Sequence, residues 1–163
     1  MITASELAGF FAAHAIWCVS DGATLIPMLA YTTADGERKM DRLVINDDLE
    51  SSVTYGKERL ESNDVDAEDA VLLYDGRISI GHEKVDAIII EMRAYFSPDS
   101  RAIIAVPYTP KASGKLRVHK PKLLAWESCD DFDMKVALKV FFDGVDGHEQ
   151  GAQIWNDCLD ESK

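Results

Sequence analysis

From Leu7 to Val19 the chain carries no charge, and only Gly9 and His14 interrupt a run of apolar residues. Such a stretch must be buried against something, and this limits the folds available to the rest of the chain. Leu7, Phe10, Phe11, His14, Trp17 and Cys18 recur at helical spacing, so an amphipathic helix with one core-facing stripe is expected. Thr3-Ala4-Ser5-Glu6 reads as a capping box at its start, and Asp21-Gly22 as its stop. The run lacks a preceding positive segment and is shorter than the roughly 20 residues a bilayer requires. A buried helix, with no membrane or secretory role, is the expectation.

The following residues pattern as short strands joined by tight turns. Thr24–Thr33 and Arg38–Ile45 flank Asp35-Gly36, a strong hairpin signal because both turn positions need positive φ. Pro27 cannot donate a ladder bond, which points to an edge or bulge in the first strand. Asn46 or Asp47 can cap a second helix, with Leu49, Val53, Gly56 and Leu60 facing inward. Ala70–Tyr74 and Arg77–Ile80 around Asp75-Gly76 read as another hairpin. Val85–Phe96, Arg101–Tyr108 and Lys115–Trp126 follow as strands, the last broken at Pro121, and Ile88-Ile89-Ile90 suits a strand covered on both faces. Phe132–Phe142 fits either an amphipathic strand or a helix. The flanking Asp130, Asp131 and Gly144, with the Met-Lys-Ala-Leu-Lys content, favour the helix. Glu149–Leu159 reads as a final helix.

Consecutive strands with short connections pair antiparallel. The expected fold is therefore α+β: a mainly antiparallel sheet of six to seven strands carrying N-terminal, middle and C-terminal helices. Residues 1–163 suit a single domain, since a chain of this length buries about 70% of its unfolded surface. Cys18, Cys129 and Cys158 are odd in number and far apart, which points to buried free thiols in a reducing, cytoplasmic compartment.

Known catalytic signatures fail one by one. Thr109–Lys115 ends in Gly-Lys but lacks the first glycine of a phosphate loop, and Leu116 stands where Ser or Thr is required. His82-Glu83 and His148-Glu149 lack the second histidine of a zinc protease helix. Gly76-Arg77-Ile78-Ser79 does not form a nucleophile elbow. Asp64-Val65-Asp66-Ala67-Glu68 spaces oxygens as a calcium loop does, but Asp69 replaces the turn glycine and Asp75 the bidentate glutamate. A solvated acidic loop is the better reading. No cofactor and no metal are expected.

Charge distribution is the remaining signal. The net charge is −12, yet Arg101 to Trp126 holds six bases and no acid, leaving 11 of the 17 Lys and Arg against all 29 acids elsewhere. On a strand, Lys115, Arg117 and His119 would share one face, with Lys111 and Lys122 extending it and Tyr108 and Trp126 bracketing it. Exposed lysines also protect a sheet edge from aggregation, and the basic strand could simply lie against the acidic loop at Asp64–Asp69. The expectation is a protein-interaction module of adaptor, chaperone-like or immunity type that binds another protein or itself. The alternative is a small anionic ligand, or an enzyme site, near residues 115–122. The acidic surroundings argue against nucleic acid.

Overall fold

A computed structural model describes residues 1–163. In chain order it contains α1 (Ile2–Val19), β1 (Met28–Thr32), β2 (Arg38–Arg42), α2 (Leu49–Ser62), β3 (Asp69–Ile80), β4 (Glu83–Ala94) and β5 (Arg101–Thr109). A 3-10 turn at Lys111–Ser113 leads to β6 (Arg117–Val118), β7 (Lys122–Glu127), α3 (Asp131–Asp146) and α4 (Glu149–Asp157). The seven strands form one antiparallel sheet in the order β2-β1-β3-β4-β5, with β6 and β7 sharing the outer edge of β5. The α+β expectation holds.

α1 packs on β3 and β4 with one side and beneath α3 and α4 with the other. Ala4, Ala8, Ala12, Ala13, Ala15 and Ile16 are fully enclosed, so burial extends beyond the expected stripe. The helix starts at Ile2 with no side-chain cap, which places Thr3 and Glu6 inside it, and the expected capping box does not form. At 18 residues α1 is long and apolar enough to cross a membrane by composition, but 61% of it is buried within the fold.

The packing around α1 depends on backbone meeting backbone. A Cβ at Gly144 would sit 2.0 Å from the Glu6 carbonyl oxygen, one at Gly9 1.8 Å from the Phe141 carbonyl oxygen, and one at Gly151 2.4 Å from that of Ala13. Gly144 is therefore an interior contact of α3, not its stop. The helix runs on to Asp146 and is capped by Gly147. The choice of helix for 132–142 stands, with Asp130 accepting the Phe132 N–H at 2.7 Å.

Several turn expectations are corrected. β3 is continuous through Asp75-Gly76, and Gly76 pairs with Ala87. Its missing side chain makes room for Ile89, whose Cγ1 would lie 2.9 Å from a Cβ there. The hairpin instead closes at Gly81, with φ +59°. β1 lies inside the sheet between β2 and β3, and Pro27 precedes it, donating nothing but accepting the Leu43 N–H. Only Gly36 of the first hairpin loop takes a positive φ. Asp48, not Asn46 or Asp47, caps α2. α2 covers Leu29, Ala70 and Leu72 on the second sheet face, with Leu43 and Leu72 pressed against Gly56. Leu49 is exposed, as is Leu159, beyond the end of α4. Asp69–Asp75 belongs to β3, so the calcium-loop spacing is not realised.

Gly144→Ala distinguishes helix propensity from close packing. Propensity alone would favour Ala by about 1 kcal/mol, whereas the overlap with the Glu6 carbonyl predicts a net loss of about 2 kcal/mol. Urea unfolding measures the difference, and unchanged or raised stability would contradict this contact.

Candidate functional site

The basic segment forms the outer edge of the sheet beyond β5. Tyr108 and Thr109 pair with Val118 and Arg117, while Arg101–Ala105 pairs with Lys122–Glu127. Between the two short strands, His119 donates its amide to the Pro107 carbonyl, and Pro121 has no N–H to continue a ladder. Lys111, Lys115, Arg117 and Lys120 are exposed, Lys122 is half-buried, and Leu116 and Val118 turn inward.

Three expected site residues belong to this edge but are turned into the fold, two of them buried and one half-buried. His119 is only 1% exposed because β6 ends at Val118, and the alternation does not extend past it. Its Nδ1 donates to the Asp160 carbonyl at 2.9 Å, and its Nε2 receives the Thr109 hydroxyl at 3.0 Å. Tyr108 is buried and donates its hydroxyl to Asp75 at 2.9 Å. Burial, then the Asp75 charge, pushes the phenol upward, and burial likewise raises the Asp75 carboxyl. Trp126 packs half-buried against the core and donates Nε1 to the Asp130 carbonyl. Neither aromatic ring forms a wall beside the cations.

Nine of the 17 Lys and Arg have a carboxylate within 3.7 Å. Of the eight that do not, half are Lys111, Lys115, Lys120 and Lys122. The acidic loop does not meet them: Asp64 pairs with Arg59, which also holds Asp41. That loop adjoins Tyr95, past the end of β4 that pairs with the start of β5, whereas the lysine turn follows the far end of β5. The two are separated by about 26 Å of strand.

The segment after α4 covers the outside of β6. Val118 donates to the Cys158 carbonyl and accepts from the Asp160 N–H, both at 2.8 Å, as in a parallel ladder. Arg117 reaches the Asp160 carboxylate at 3.2 Å. Hydrogen bonds from Ser162, aided by Arg117, hold that carboxyl down at about 2. A hollow of about 220 Å³ here is lined by Lys115 and Arg117 but also by Asp157 and Asp160. An anion entering it would have to displace a carboxylate already present. β7, by contrast, has an uncovered outer edge, with Leu123 and Leu124 nearly half exposed.

Two features escaped the sequence pattern. The first is a groove of about 670 Å³ between α2 and β4–β5. Its Lys57–Glu91 pair (3.0 Å), Tyr74–Glu91 hydrogen bond (2.6 Å) and Arg93–Glu61 pair (2.9 Å) join elements distant in sequence. The second is a contact between His14 of α1 and His148, the residue that caps α4, at 3.1 Å. The Gly151 amide can only donate, so His148 Nδ1 accepts it and the His148 proton sits on Nε2, aimed at His14 Nδ1. Adding a proton to either ring breaks one of these two bonds. Burial lowers both histidines from their ordinary value, with His148 and Arg42 lowering His14 further.

Comparison with protein-family models, with curated proteins and with solved structures finds no match to this chain.

Because both histidines are lowered in the folded state, the unfolded chain binds more protons as pH falls through about 6.5, and stability drops with it. Melting at pH 5.5 should fall below melting at pH 7.5, by about 2–4 °C per kcal/mol lost. His148→Asn keeps a capping acceptor but removes the titrating ring, so it should shrink this difference. An undiminished difference in that variant would show that the pair does not contribute.

Proposed function

We propose that this chain is a protein-interaction module, of adaptor, chaperone-like or immunity type, that docks an acidic segment of another protein along the β6–β7 edge. The observation that carries the reading is the gathering of four lysines without carboxylate partners, Lys111, Lys115, Lys120 and Lys122, on a protein of net charge −12. Most cations elsewhere are used internally, so this edge is where positive potential is available to a partner. Surrounding acids repel polyanions at longer range and favour a short acidic stretch over nucleic acid. Electrostatic docking of this kind governs association rate and partner choice more than raw affinity.

The alternative, a small-anion or enzymatic site near residues 115–122, has less support. His119 and Tyr108 are enclosed with both their polar groups engaged, and Arg117 already faces Asp160.

Fluorescence anisotropy with synthetic extended peptides that alternate Glu with apolar residues tests the proposal. Raising salt from low concentration to about 0.5 M, where the Debye length shrinks to roughly 4 Å, should weaken binding at least tenfold. Lys111→Glu/Lys115→Glu/Lys120→Glu should do the same at low salt without changing the fold, since all three side chains are exposed. Binding that survives both changes, or no binding to any acidic peptide, would refute the reading.

A further inference from the structure

We infer that residues Cys158–Asp160 are a resident strand occupying the docking edge, and that an extended partner segment bearing an acidic residue takes their place on β6. This rests on the interaction reading above and specifies the partner's chemistry and register.

The resident segment shows what the edge recognises. Val118 offers one N–H and one carbonyl, His119 offers its Nδ1–H, and Arg117 offers its guanidinium. Three of these four groups are met by backbone atoms of Cys158 and Asp160, and only the fourth by a side chain, the Asp160 carboxylate. Recognition therefore demands an extended backbone and one acid in register, with little else about the sequence specified. This is strand addition, in which main-chain bonds supply affinity and a few side chains supply selectivity.

The same geometry makes exchange easier than simple release. Val118 is fully enclosed and His119 nearly so beneath the resident strand, and releasing it without a replacement exchanges three protein hydrogen bonds for bonds to water at a modest cost. A second strand that brings a carbonyl, an N–H and a carboxylate to the same places avoids that cost. What holds the resident is modest. Its one ion pair is solvent-exposed on the Arg117 side, and such pairs contribute little. Leu159 lies 43% exposed, and Cys158, half-buried rather than enclosed, is the segment's apolar contact with the core. Lys111 and Lys120 have no carboxylate among the resident residues, so a partner carrying further acids would gain contacts the resident lacks. The lysines thus give the incoming strand an advantage over the segment it replaces.

A fluorescein-labelled peptide copying residues 156–163, with Ser in place of Cys158, is the probe, and a scrambled peptide of equal charge is its control. Both are titrated against the full chain and against Asp160→Lys, which turns the resident ion pair into a repulsion. The copied peptide should bind Asp160→Lys at least tenfold more tightly than wild type, with no such gain for the scrambled one. In wild type with peptide bound, hydrogen exchange should show the Asp160 amide losing protection while the Val118 amide keeps it. If the peptide binds with Asp160 still protected, or the scrambled peptide gains equally, strand exchange is wrong although acidic docking survives. If neither peptide binds either protein, both the exchange and the docking reading fall.

Discussion

Everything in this fold depends on α1 being enclosed between the sheet and two further helices. An alanine-rich helix has few bulky side chains to bury, so its stabilisation must come from approach distance and packing density. Gly9, Gly144 and Gly151 supply that approach by letting α3 and α4 lie with their backbones against its own. Dispersion contacts and water exclusion then accumulate along the whole helix rather than along one stripe. The inner sheet face answers with Val71, Leu73, Ile88 and Ile90, all fully buried.

That enclosure determines where the chain goes afterwards. With α3 and α4 fixed on the outer side of α1, the chain leaves α4 beside the last strands of the sheet. Cys158–Asp160 then falls against β6 and nowhere else along the edge. The His14–His148 contact ties the start of α4 to α1, and the Val118 ladder ties its end to the sheet. Proton uptake at the histidines acts on the same helix that positions the edge segment. The β6 edge is therefore an extension of the core packing, although its contacts with the segment after α4 are few and its one ion pair is solvent-exposed.

The fold class, the antiparallel pairing and the helical reading of 132–142 are legible in the sequence because hydrophobic period and capping residues report local structure directly. Gly76 and Gly144 are misread for a specific reason. A glycine that ends an element and one that admits a neighbour look alike until the neighbour is known, and here the neighbours are Ile89 and Glu6. Lys111, Lys115 and Arg117 reach the surface as their charge implies, and Lys122 does so only in part. His119 does not, because strand alternation cannot reveal that β6 stops one residue earlier. The pairing of His14 with His148 and the groove beside α2 join residues far apart in the chain, and no local pattern encodes them.

The proposed replacement of the edge strand on a well-packed core requires two widely separated free energies of opening within one molecule. Native-state hydrogen exchange across increasing denaturant reads both at once. The amides of α1 and central β4 should exchange only through global unfolding, with strong denaturant dependence. The Asp160 amide should exchange through a local opening at much lower free energy, almost independent of denaturant. If Asp160 instead follows α1 at the same free energy and slope, the edge segment is part of the core and the account of a replaceable strand is wrong.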